Sequence, residues 1–93
     1  MIRNFADKEA EKILGGTPSR RLPADIQSVA RRKLLMLKNA SALDDLRVPP
    51  ANRLEALKGH RKGQSSIRIN DQWRICFRWI DGDAYDVEIV DYH

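Results

Sequence analysis

A single cysteine in 93 residues, Cys76, excludes an internal disulfide and any zinc site built from several thiolates. Histidine is nearly as scarce: His60 and His93 are too sparse a set for a metal site, so neither a metal nor a cofactor is expected. There is no apolar run long enough to span a bilayer and no signal-peptide pattern, which makes the cytosol the expected compartment and a membrane no partner. Internal repeats and low-complexity tracts are absent. Residues 1–93 read as a single domain with one modest core and no room for a separate cofactor domain, so any active site must be shallow.

What the chain does have is sorted charge. Seventeen Lys and Arg stand against thirteen Asp and Glu, a net charge of +4 and a pI near 9.6 that favour an anionic partner. Residues 1–52 hold ten basic and six acidic side chains, 53–78 hold seven and two, and 79–93 hold none and five. The basic excess therefore peaks in the segment that also carries Glu55, Lys58, His60, Arg61 and Lys62.

Hydrophobic spacing divides the chain into a helical half and a stranded half. Residues 1–5 suit a short strand, and Asp7 can cap a helix through Ala10, Ile13 and Leu14 that Gly15 and Gly16 stop. Pro23 suits the first position of a second helix, whose Ile26, Val29, Ala30, Leu34 and Leu37 recur at helical spacing. Arg31, Arg32, Lys33 and Lys38 then form its solvated face, with an acidic partner or RNA as the alternative reading. Ser41 is placed to cap a short third helix through Leu46, and Val48, Pro49 and Pro50 to enforce an extended connector.

Beyond Arg53 the period becomes two. Ile67 and Ile69 alternate with Ser66, Arg68 and Asn70; Trp73, Ile75, Phe77 and Trp79 alternate with Arg74, Cys76 and Arg78. Asp81 and Gly82 supply a hairpin turn, and Tyr85, Val87 and Ile89 mark the core side of the last strand. The fold class is α+β: an N-terminal strand and two to three helices packed on one face of an antiparallel sheet of about four strands. The uncovered face would present Arg68, Arg74 and Arg78, with Cys76 as a half-buried small hydrophobe.

Arginine forks match phosphate oxygens, so that face reads as a surface for a nucleic-acid backbone. The competing reading is cross-strand pairing with Asp86 and Glu88, which bears harder on Arg78 than on Arg74. RNA cleavage without a metal needs a base for the 2′-hydroxyl proton, an acid for the leaving 5′-oxygen and cations for the phosphorane. Glu55 suits the base, His93 the acid, and Lys58 and Arg74 the cations, while Tyr92 could stack on a base or bond the phosphate. The plain alternatives are a Glu55 pair with Arg53 or Lys58 and a Tyr92 that closes the core edge.

From Asn52 onward these residues form a recognisable set: Leu57-Lys58-Gly59 before a basic loop, the strand from Asn70 to Phe77, and the ending Asp91-Tyr92-His93. In these motifs the chain resembles the HigB (host inhibition of growth) toxins of the RelE/ParE superfamily, and the opening segment and two helices fit as well. The resemblance implies a microbial-RNase-type fold and a ribosome-dependent mRNA endonuclease restrained by a helix-turn-helix, HigA-like antitoxin. It implies Lys58, Arg74, Asp91, Tyr92 and His93 as site residues. Where HigB toxins carry a histidine three residues before the lysine, this chain has Glu55, closer to the glutamate base of the related YoeB toxins. That departure implies slow or absent cleavage of naked RNA.

The leading expectation is an endoribonuclease acting on codons of ribosome-bound mRNA through a 2′,3′-cyclic phosphate. His60, Arg61, Lys62, Arg68 and Arg78 would hold RNA beside the catalytic set. A ParE-like inhibitor of DNA gyrase with the same fold, and a plain RNA-binding module, are the alternatives. His93→Ala and Arg74→Ala are expected to relieve toxicity with folding intact.

Overall fold

The computed structural model describes residues 1–92; His93 lies outside the described residues. Helix α1, Lys8–Leu14, starts where Asp7 Oδ1 accepts the Ala10 N–H at 2.6 Å and ends at Gly15, with Gly16 at φ 89°. Helix α2, Ala24–Asn39, begins one residue later than expected, because Pro23 is its extended N-cap at ψ 136°. Its apolar stripe of Ile26, Ala30, Leu34 and Leu37 is buried, and Leu34 and Leu37 each contribute about 1.5–3 kcal/mol of transfer free energy.

The polar face of α2 departs from the sequence reading at one position. Lys33 is only 4% exposed rather than solvated, and its Nζ donates to Asn52 Oδ1. Asn52 is itself fully buried and donates from Nδ2 to the Leu46 carbonyl at 3.1 Å, so the lysine secures the connector behind the helix. Helical periodicity could not show this, because the chain that covers Lys33 returns nineteen residues later.

The expected third helix is a 3-10 turn, Leu43–Arg47, and Ser41 does not cap it. Instead Asp45 Oδ2 accepts the backbone N–H groups of Ser41 and Ala42 at 2.9 and 3.1 Å. The connector is extended only at Val48 and Pro49, which are joined by a cis peptide bond; Pro50–Asn52 forms a second 3-10 turn.

Strands β1 Glu55–Ala56, β2 Ser65–Arg68, β3 Trp73–Ile80 and β4 Asp83–Asp91 form an antiparallel sheet in the order β1-β2-β3-β4. Asp81 and Gly82, at φ 49° and 83°, make the expected two-residue hairpin turn between β3 and β4. Ile67, Ile75 and Ile89 align across three strands and pack with Phe77, Ala84 and Val87 against α1 and α2. Residues 1–5 pair in parallel with the outer edge of β4, through Ile2 to Ala84 and Phe5 to Val87, rather than as a continuous strand.

One parity expectation fails, at Tyr85. A bulge shifts the register between Cys76, opposite Glu88, and Arg78, opposite Tyr85; Asp86 there has φ 54°. The extra residue turns Tyr85 to the face away from the helices and puts Ala84, fully buried, in the core. Asn4 fastens the bulge, donating to Asp86 Oδ1 at 2.9 Å and accepting the Asp86 N–H at 3.0 Å. Among the described residues no helix is long and apolar enough to cross a membrane.

Candidate active site

The helix-free face carries two cross-strand rows, Ser66-Cys76-Glu88 and Arg68-Arg74-Val90, with Glu55 paired to Ser66 at the β1 edge. Arg74 was expected to stand open on this face among exposed guanidinium groups, but it is only 8% exposed. Its Nε donates to Ser66 Oγ at 2.7 Å, and its Nη2 to the Arg53 carbonyl at 2.6 Å and more weakly to the Ser66 carbonyl at 3.4 Å. Arg53 offers that carbonyl from a left-handed conformation at φ 45°. The guanidinium is thus locked by protein acceptors, and Nη1 makes none of these bonds.

Two of the sequence-derived residues, Glu55 and Tyr92, meet around it. Arg74 Nη2 lies 3.7 Å from Glu55 Oε1, and its guanidinium carbon sits 5.9 Å from the Tyr92 ring centre, within cation-π range. Glu55 therefore pairs with Arg74, not with Arg53 or Lys58, and with a 51% exposed side chain it stands at the solvent edge. Tyr92, 40% exposed, does not close the core. Tyr92 also lines an open groove of about 520 Å³ with Lys58, His60, Arg61, Val90 and Asp91, and it is the residue this groove shares with the contacts of Arg74. Asp91 is held by Gln72, whose Nε2 donates to Asp91 Oδ2 at 3.0 Å and whose carbonyl accepts the Tyr92 N–H at 2.6 Å.

The remaining basic residues are dispersed. Arg68 pairs with Asp71 and Arg78 with Asp86 at 3.4 Å, so cross-strand pairing does claim Arg78. Arg61 donates to Glu88 at 2.8 Å, which raises its guanidinium pKa further, chiefly through that hydrogen bond. Lys62 is exposed and does not line the groove. Cys76 is fully rather than half buried, and burial pushes its thiol up despite nearby Arg61. The proposed acid, His93, falls outside the described residues.

A family model described as the RelE-like toxin of type II toxin-antitoxin system HigB matches residues 3–93. The chain belongs to the HigB-like toxins. It is 45% identical over 85 residues to Toxin HigB-1 of Vibrio cholerae, covering 90% of each protein. It is 31% identical to Endoribonuclease HigB of Proteus vulgaris across the full length of both, and 36% identical over 69 residues to an uncharacterized protein of Haemophilus influenzae, 74% of this chain and 68% of that one. As a HigB-like toxin of a type II system the chain has an antitoxin for a partner.

For this HigB-like toxin, sequence reasoning missed the residues that build the site without carrying its chemistry. Ser66 and Gln72 hold Arg74 and Asp91, whereas Glu88, expected to pair with the arginines of its own sheet face, instead engages Arg61 of the loop. Strand parity does put Ser66 and Glu88 on the face of Arg74 and Cys76; the missing information was register, which sets who faces whom.

Proposed function

We propose that this toxin is an endoribonuclease that cuts mRNA on the ribosome, using Glu55, Lys58, Arg74, Asp91, Tyr92 and His93 and no metal. One observation carries the reading: Arg74 stands 3.7 Å from Glu55 and 5.9 Å from the Tyr92 ring, which borders the groove that Lys58 also lines. A phosphate seated against the arginine would have the Glu55 carboxylate beside it, with Lys58 in the groove that Tyr92 borders.

In the proposed reaction Glu55 takes the 2′-hydroxyl proton, and that oxygen attacks the adjacent phosphorus. The 5′-oxygen leaves with a proton from His93, and a 2′,3′-cyclic phosphate remains. Arg74 and Lys58 neutralise the charge gathering on the phosphoryl oxygens, and fixed donors do so without reorganising. Tyr92 stacks on a base beside the scissile bond, and Asp91, held by Gln72, supplies a fixed carboxylate at the groove. The groove is open and shallow, so the reading assigns alignment of the message to the ribosome and predicts slow or absent cleavage of naked RNA.

The exposed arginines and lysines of α1, α2 and the loop would hold ribosomal RNA in the cytosol, and the antitoxin would be a HigA-like helix-turn-helix protein. Mapping 5′ ends of translated messages after induction tests the reading, with Glu55→Gln and His93→Ala as controls. New ends inside codons, lost in both variants, are expected. Growth arrest with intact messages would refute cleavage and leave gyrase inhibition as the activity to examine.

A further inference from the structure

Arg61 is already engaged before any RNA arrives. Its Nη1 donates to Glu88 Oε1 at 2.8 Å and to Gln64 Oε1 at 3.0 Å, and the two ion-paired side chains are only 25% and 27% exposed. The pair spans the face that no helix covers, beside Cys76, which is fully buried there and directly opposite Glu88 in the register. Arg61 closes the 3-10 turn Gly59–Arg61, and its N–H donates to the Lys58 carbonyl at 3.3 Å. The loop is closed again where Leu57 N–H meets the Gln64 carbonyl at 2.9 Å. Wherever Arg61 is held, Lys58 is carried with it.

We propose that Glu88 is a positioning residue for RNA cleavage: by holding Arg61 across the sheet it fixes the 57–64 loop and keeps Lys58 at the groove. The inference rests on the cleavage reading above. Arg78, paired with Asp86 of β4, packs beside the same loop, its Nη1 standing 3.1 Å from where a side chain at Gly63 would begin. A half-buried bridge of this kind suits restraint better than RNA capture, because phosphate would have to displace a partner already bonded to Arg61. Loss of the restraint would let the loop drift, and misplacement by about 1 Å can cost on the order of a hundredfold in rate.

The test uses Glu88→Ala and Glu88→Gln in the full chain with programmed ribosomes, reading kcat and KM for message cleavage. The labelling rate of Cys76, the chain's single thiol, with Ellman's reagent is measured in parallel without RNA. Glu88→Ala should lower kcat about tenfold or more with KM nearly unchanged, and should label Cys76 about tenfold faster. Glu88→Gln, which can still accept from Arg61, should fall between it and the wild type, and it serves alone if the alanine variant does not fold. Faster or tighter cleavage by Glu88→Ala would overturn the proposal, since Glu88 would then merely compete with RNA for Arg61. Wild-type kcat together with exposed Cys76 would overturn it as well. A wild-type chain inert on ribosomes would sink the cleavage reading itself, an outcome the labelling arm keeps distinct.

Discussion

Arg74 is both a proposed catalytic cation and a structural strut, and the two roles separate under substitution. Arg74→Ala strips the donors from Ser66 Oγ and the Arg53 carbonyl, so it should destabilise the fold by about 1–3 kcal/mol in denaturant unfolding, contrary to the sequence-based expectation of intact folding. Arg74→Lys keeps the charge but cannot reproduce a fork held at two points, and should lose on the order of a hundredfold in cleavage. Near-native cleavage by the lysine variant would show that charge alone suffices. The alternation of β3 revealed which face Arg74 occupies; its burial depends on the backbone of Arg53 folding over it, which alternation cannot express.

Lys33 offers an independent check. Burial, chiefly, with smaller contributions from Arg32 and Arg68, holds its ammonium below the usual lysine value of 10.5. The unfolded chain therefore binds more protons than the folded chain between the lowered value and 10.5, and stability from this group rises with pH across that window. Below the window both states are protonated and the cost of burying the charge is felt in full. Urea midpoints measured from about pH 8 to about pH 10 should climb more steeply in the wild type than in Lys33→Met. Parallel slopes would refute the assignment.

Among the elements, α1 depends most on one side chain. Asp7 caps the helix through Oδ1 and accepts the Ile89 N–H at 3.0 Å through Oδ2, so one carboxylate both starts α1 and fastens it to β4. Asp7→Ala should cost about 2 kcal/mol in thermal or urea unfolding, the upper end for a lost cap, whereas a cap alone is typically worth about 1 kcal/mol. Capping, glycine stops, the α2 stripe, the strand alternation and the Asp81-Gly82 turn were all readable locally, because each is set by neighbours within a few residues. The Asp86 bulge and the burial of Lys33 were not, since both depend on partners distant in sequence, Asn4 in one case and Asn52 in the other.

Across the whole molecule, the helices and the N-terminal segment support a sheet whose other face gathers residues from three separate stretches of chain. Motif resemblance named most of the candidate residues, and the geometry brings Glu55, Arg74 and Tyr92 together while tying Arg61, Arg68 and Arg78 into ion pairs. The arginines of this face thus divide into one, Arg74, that is proposed to act on the phosphate and three, Arg61, Arg68 and Arg78, that are held in ion pairs with acidic side chains, a distinction that net charge cannot make. The central claim is that a ribose hydroxyl of the message is the nucleophile at this site. It is tested most directly by programming ribosomes with a message that carries one 2′-deoxyribose immediately 5′ of the scissile phosphate. The account predicts no break at that linkage and normal cleavage of the all-ribose message; a break at the deoxy position would contradict it.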